Sequence, residues 1–131
     1  MSYRFLPHTA DLRAALEAPD LDGLYQSAAD LLRDVLVGQS PVEARERRAI
    51  ELPAEDESER LYRFLRELLF LYDTETFLPA RVEPAPSRAV WGEPFDPTRH
   101  AAERQLKAVT RHGLSCRRED ETWSAEVLFD L

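Results

Sequence analysis

Two segments of the chain carry apolar residues at the three-and-four-residue spacing of an amphipathic helix, and they restrict the fold more than any other feature. The first begins after Asp20, a residue type that caps helix N-termini, and ends at Gly38, which suits a helix C-terminus. The second follows Ser58, another candidate cap. The apolar positions are Leu21, Leu24, Tyr25, Ala28, Leu31, Leu32, Val35 and Leu36 in the first helix and Leu61, Phe64, Leu65, Leu68, Leu69 and Tyr72 in the second.

The other segments alternate apolar and polar residues between prolines, which is typical of short strands. Strands are predicted at 3–6 and 12–16, in "RRAIELPA", around Val82, and at 89–95, 104–111, 113–118 and 122–130, with "REDET" as the turn of a closing hairpin. This order predicts an α+β fold, a two-layer sandwich with two helices packed on one face of a mixed, mostly antiparallel sheet. At 131 residues, we expect a single domain over 1–131.

The charge balance limits the partners of the chain. Asp and Glu total 25 against 17 Lys and Arg, a formal charge of −8, so the protein as a whole repels nucleic acid and anionic membrane. Arg and Glu interrupt the apolar stretches well before the roughly 20 residues of a membrane span. One cysteine allows no intramolecular disulfide and the N-terminus lacks a signal peptide's apolar run, so we expect a protein of the reducing cytoplasm.

Carboxylates converge at the C-terminal end of the predicted last strand. There Trp123, Ala125, Val127 and Phe129 alternate toward the core, so Asp130 points the other way, next to the α-carboxylate of Leu131. If Asp11 at the start of the second strand reaches the same rim, three anionic groups repel one another by about 1–4 kcal/mol per pair, which a cation would relieve. An all-oxygen set selects calcium, magnesium or manganese. A solvated terminal aspartate is the alternative.

Other reactive residue types stand in weaker contexts. His8, His100 and His112 are candidate ligands or bases, although a lone histidine is more often structural, and zinc-ligand spacing is absent. Cys116 alternates with Leu114 and is expected to be a small core residue. Lys107 is the single lysine beside sixteen arginines, which suggests a position that needs an ammonium group. By alternation it shares a strand face with Val109.

Several segments together resemble the archease family. They are "YRFLPHTAD" at the start, "ELLFLYDTE" ending the second helix, "RH" at Arg99 and His100, "LKAVTRHGL" from Leu106 to Leu114, and "VLFDL" at the end. With the first helix they cover nearly the whole chain in order. The sequence departs from the family pattern at Arg66, where Asn is frequent, and at Arg111, where Tyr is usual.

The resemblance implies a small α/β protein that activates an RtcB-type RNA ligase in tRNA splicing and RNA repair. Archeases are accessory proteins rather than enzymes. They promote guanylylation of the ligase and its multiple turnover. The family's metal site carries over as Asp11, Asp130 and Leu131, and Lys107 matches a family lysine with an indicated functional role. The expected partner is therefore a protein, with RNA contacted only indirectly.

Two other function classes stay open at this point. One is a stand-alone metal-dependent phosphate hydrolase or nuclease that uses Asp11, Asp130 and His8, which would turn over substrate without a ligase. The other is a binding or chaperone-like module that holds a client through its helices. Such a module would keep its activity after the acidic residues are neutralised.

Overall fold

The computed structural model describes residues 2–6, 11–53 and 56–131, and it contains two helices and seven strands in this part of the chain. In chain order the elements are β1 (Ser2–Leu6), β2 (Leu12–Ala18), α1 (Leu21–Val37), β3 (Glu46–Arg48), α2 (Glu57–Glu75), β4 (Phe77–Val82), β5 (Val90–Pro94), β6 (Ala108–Glu119) and β7 (Thr122–Asp130).

Helix α1 has the two ends that the sequence predicts. The Asp20 carboxylate accepts the N–H of Gly23 at 2.7 Å, which satisfies a donor of the first turn. At the other end Gly38 adopts a φ of 61° and donates its N–H to the Asp34 carbonyl at 2.8 Å. An L-residue with a side chain rarely adopts this backbone region, which explains glycine there.

Helix α2 is capped two residues earlier than predicted. Asp56 is extended and its carboxylate accepts the N–H of Glu59 at 2.9 Å, so Asp56 is the N-cap and the prediction of Ser58 is wrong. Ser58 lies inside the first turn. Its hydroxyl instead accepts the N–H of Cys116 at 2.9 Å and donates to the Cys116 carbonyl at 3.3 Å, which joins the helix to β6.

The α+β class is confirmed, but the strands form two antiparallel sheets rather than one mixed sheet. The main sheet has the order β1-β2-β7-β6, and the small sheet has the order β3-β5-β4. Both edges of β5 are occupied by β3 and β4, so it cannot continue into the main sheet. Pro79 and Pro94 remove backbone donors from the β4–β5 pair, which favours a short separate sheet.

Two strand predictions have wrong boundaries. The predicted strand in "RRAIELPA" shortens to β3 at Glu46–Arg48, and the two strands predicted over 104–118 are one strand, β6, that begins at Ala108. Four residues, 111–114, stand between the positions paired with Leu128 and Glu126 of β7, so β6 bulges there. Gly113 in the bulge has a φ of 82°.

The core lies between the helices and the inner faces of the sheets. Helix α1 packs on β4 and β2, and α2 packs on β6 and β4. The rings of Tyr25 and Phe64 meet edge to face at 4.9 Å between the two helices. From the main sheet the fully buried residues include Ala14, Val127 and Phe129, in the alternation predicted for these strands. No helix in the described ranges is long and apolar enough to cross a membrane.

The closest backbone approach in the small sheet gives a stability prediction. A Cβ atom built on Gly92 would lie 1.8 Å from the backbone oxygen of Leu78, a clash that side-chain rotation cannot relieve. We expect Gly92→Ala to lower the free energy of unfolding by about 3 kcal/mol or more. Denaturant titration followed by circular dichroism measures this change.

Gly113→Ala is the control for that substitution. A Cβ there meets no atom within 4 Å, and only the positive φ opposes it, so we expect a loss of about 1–2 kcal/mol. Equal losses for the two variants would contradict the close approach of β4 and β5.

Candidate functional site

The main sheet brings three strand ends together on one side of the molecule. Phe129 of β7 pairs with Leu12 of β2 on one side and with Val109 of β6 on the other. Because Phe129 is fully buried, the next residue, Asp130, faces solvent on the outer face of the sheet. Asp11 immediately precedes Leu12, so continuing the same register places it beside Asp130. The register of the strands is therefore compatible with the predicted convergence of the two aspartates.

Asp130 is exposed, and its backbone and side chain have separate partners. Its carbonyl oxygen accepts the N–H of Lys107 at 2.8 Å, which extends the ladder between β7 and β6. Its carboxylate accepts the hydroxyl of Thr110 at 3.3 Å, from the same face of β6. Leu131 follows directly and is 40% exposed. The carboxylate is thus oriented by Thr110 while most of its surface stays open to solvent.

The residue types of the predicted site are those that would hold a hard divalent cation. The carboxylates of Asp11, Asp130 and the Leu131 terminus supply only oxygen atoms, the ligands that calcium, magnesium and manganese prefer. Calcium takes six to eight oxygens, so water or groups of a partner would complete the shell. No cluster of three or more His, Cys, Asp or Glu side chains able to hold a metal occurs in residues 2–6, 11–53 and 56–131. His8 lies outside these ranges.

Lys107 lies beside this sheet end but not on a strand face. It precedes β6, and the buried neighbours are Leu106 and Val109, so the predicted alternation is wrong at this point. Because β6 begins only at Ala108, Leu106 and Lys107 lie in a loop, where side chains do not alternate between two faces as they do in a strand. The Lys107 side chain is exposed, and its backbone is fixed by the hydrogen bond to Asp130.

His100 is a buried structural residue. Its Nδ1 accepts the N–H of Asp96 at 2.9 Å, and its Nε2 donates to the Pro41 carbonyl at 2.9 Å. These partners select the neutral tautomer with the proton on Nε2. The ring therefore links the loop after β5 to the loop before β3. His112, by contrast, is exposed on the bulge of β6.

A buried ion pair beside His100 was not anticipated from the sequence. Glu93 is 2% exposed, and its carboxylate is held by the Arg99 guanidinium, which donates from Nη1 at 3.0 Å, and by the N–H of Glu43 at 2.6 Å. These hydrogen bonds, Arg99 first, lower the pKa of Glu93 to about 2 although burial raises it. The alternation of apolar and polar residues does not reveal that Glu93 is buried, because the strand is short and the residue before Glu93 is a glycine.

Cys116 is a core residue, as predicted. It is 8% exposed, and burial, followed by the nearby carboxylates of Glu57 and Asp56, raises its pKa to about 12. A thiol with such a pKa stays protonated near neutral pH and is a poor nucleophile or metal ligand.

These features define a class of protein: a small α+β protein with two helices over antiparallel sheets and an exposed aspartate, Asp130, at one sheet end. Solved structures share the fold. Protein 1598 of Methanobacterium thermoautotrophicum superposes with a TM-score of 0.79 at 31% sequence identity, covering 98% of each chain. An archease and possible chaperone of Thermotoga maritima, TM1083, gives a TM-score of 0.68 at 16% identity, covering 96% of this chain and 94% of its own.

The chain belongs to the archease family. The model of the Archease protein family (MTH1598/TM1083) matches residues 3–131. The protein archease of Methanopyrus kandleri is 32% identical over 140 residues, with 100% of both chains covered. The family expectation from the sequence segments is therefore confirmed.

The buried Glu93 gives a pH-dependent stability prediction. Its folded pKa is depressed below the unfolded value, so its stabilisation is present above about pH 4.5 and is lost as the pH falls toward 2. We expect Glu93→Gln, which leaves Arg99 without its buried partner, to lower the free energy of unfolding by about 1–3 kcal/mol at pH 7. The difference from the wild type should shrink toward pH 2. Urea titrations at pH 7 and pH 3 measure it, and a difference independent of pH would contradict this role.

Proposed function

We propose that this chain is an accessory protein that activates an RtcB-type RNA ligase in tRNA splicing and RNA repair in the cytoplasm, and is not itself a ligase. Its active part is the acidic tip, defined as Asp11, Asp130 and the terminal carboxylate of Leu131. The observation that supports this most directly is the pairing of Phe129 with Leu12 and with Val109, since continuing this register by one residue would bring Asp11 beside Asp130. Family membership supports the accessory role.

The residues of the acidic tip would present a divalent cation to the ligase. Such a cation, calcium or magnesium or manganese, would supply neutralisation of the phosphates of GTP during guanylylation of the ligase. Asp130 stands on the solvent face with its carboxylate oriented by Thr110, so it can hold a cation while leaving positions for groups of the ligase. The exposed Lys107 side chain next to it can contact a phosphate or a carboxylate of the ligase.

RNA is expected to be handled by the ligase rather than by this chain. The formal charge of −8 repels the phosphate backbone, whereas the RNA groove of a ligase must be basic. Electrostatic potentials of opposite sign on the two proteins would increase the rate at which they associate.

A guanylylation assay tests the role of the tip. With the ligase and GTP, we expect Asp130→Asn and Asp11→Asn each to lower the rate of activated guanylylation by about tenfold or more, because each removes an anionic ligand. Lys107→Ala should lower the rate as well. Formation of the guanylylated ligase over time is the measurement.

Asp120→Asn is the matched control. Asp120 lies at the other end of the β6–β7 hairpin with a φ of 57°, a conformation that asparagine also adopts readily, so this variant removes the same charge elsewhere. Full activation by Asp11→Asn, Asp130→Asn and Lys107→Ala would contradict the proposal. Phosphate release from nucleotides by the purified chain without any ligase would instead indicate a hydrolase.

Metal binding can be measured without the ligase. A ligand that binds only the folded state, at 100 times its dissociation constant, adds about 2.7 kcal/mol to the free energy of unfolding. We expect calcium or manganese to raise the melting temperature of the wild type by several degrees and to have little effect on Asp130→Asn. Equal shifts for the two proteins would place the cation elsewhere.

A further inference from the structure

The face of helix α2 that adjoins the acidic tip combines apolar and basic side chains. An open pocket of about 230 Å³ lies between the outer side of α2 and the start of β6. Its lining includes Tyr62, Arg66, Phe70, Asp73 and Lys107, which together we call the α2 patch. Phe70 is 58% exposed, although an aromatic side chain of this size is usually covered in a folded protein.

The cations of the α2 patch differ from most arginines of this chain. Beside the patch, Arg111 donates two hydrogen bonds to Glu59, at 2.8 and 3.0 Å, and Arg63 forms an ion pair with the same carboxylate at 3.3 Å. In the part of the chain that the structure describes, Arg66 and Lys107 form no such ion pair. Together with Asp73 they leave the patch with a net positive charge on a protein whose formal charge is −8.

Each of the exposed large hydrophobic side chains has a neighbour at the strand ends that carry the acidic tip. Within the described ranges they are Phe5, Phe70 and Leu131. Leu131 ends the acidic tip. Phe70 shares its pocket with Ala108, the β6 partner of Asp130, and Phe5 shares another pocket with Leu12, the residue after Asp11. An exposed aromatic side chain beside an open pocket, as at Phe70, is typical of a surface that another molecule covers.

Taken together, these observations lead to one proposal, which rests on the proposed function. We propose that the α2 patch is a docking surface for the ligase, that Phe70 is its apolar anchor, and that Arg66 and Lys107 pair with carboxylates around the socket that receives it. The occupant is a protein surface because a rigid aromatic anchor bordered by arginine is typical of protein interfaces. The overall negative charge opposes RNA at this place.

The patch and the tip would engage the same partner at the same time. The hydrogen bond from Lys107 to Asp130 joins them through the backbone, so a partner that receives the tip also meets the patch. The division of work is then clear: the tip determines the rate of the activated ligase, and the patch determines how tightly the ligase is held.

The test measures ligase affinity and activation separately. Binding of the ligase to the immobilised full-length chain gives the dissociation constant, and guanylylation as a function of chain concentration gives the half-maximal concentration and the maximum. We expect Phe70→Ala and Arg66→Glu each to weaken binding about tenfold and to raise the half-maximal concentration by a similar factor. The maximum at saturation should stay near that of the wild type.

Arg118→Glu is the control for charge. Arg118 is an exposed cation near the β6–β7 turn, it forms no ion pair within the described residues, and its reversal should leave ligase affinity within twofold of the wild type. Thermal melting of each variant checks folding, which truncation of a 58% exposed side chain should preserve.

The outcomes separate this proposal from the proposed function. If the wild type activates the ligase but Phe70→Ala and Arg66→Glu bind it normally, the docking surface is wrong and the activating role stands. If the wild type binds without activating and these variants bind more weakly, the docking surface is supported and the activating role is wrong. A labelled single-stranded RNA provides the third arm: loss of RNA binding in Arg66→Glu with normal ligase affinity would overturn protein docking.

Discussion

The pairing of β7 with β2 on one side and β6 on the other is the constraint on which the candidate site depends. β7 is an inner strand of the main sheet, and Phe129 fixes its register from within the core. A shift of one residue in either pairing would turn Phe129 to solvent and Asp130 into the core, at a cost far above that of any surface interaction. The position of Asp130 is therefore determined by the hydrophobic burial of its neighbour Phe129 rather than by its own charge.

The amphipathic patterns were sufficient to predict the elements that have one buried face. Helix α1 has the predicted ends, and the alternation of β7 correctly places Ala125, Val127 and Phe129 in the core. The α+β class follows from the order of these elements. The cap of α2 was misplaced because Asp56 and Ser58 are both suitable cap residues two positions apart, and only the backbone conformation distinguishes them.

The division into two sheets and the features between them could not be predicted from local sequence. Which strands pair depends on which edges are already occupied, and no short segment contains that information. The bulge of β6 depends on its long-range pairing with β7, and the burial of Glu93 depends on a contact with the distant Glu43 N–H. The convergence of Asp11 with Asp130 is a conditional expectation from the residues alone, which the family resemblance strengthens, and it stays a prediction.

The charges of the chain are unevenly distributed, which the formal charge alone does not show. Many carboxylates are neutralised by arginines, as in the pairs of Glu83 with Arg47 and of Glu126 with Arg13. The acidic tip and the basic α2 patch are adjacent at the same end of the molecule. In this account both surfaces contact one partner, since a cation bound at the tip and the basic side chains of the α2 patch approach the same ligase.

The central claim is that the sheet register makes a cation site from Asp11, Asp130 and the terminal carboxylate. Nuclear magnetic resonance of the ¹⁵N-labelled chain during titration with manganese tests it most directly, because this paramagnetic ion broadens the signals of nearby amides. The account predicts that, at low manganese, broadening begins at Asp11, Leu12, Lys107, Asp130 and Leu131. Broadening that begins at the acidic residues of the helices, or spreads evenly over the surface, would contradict it.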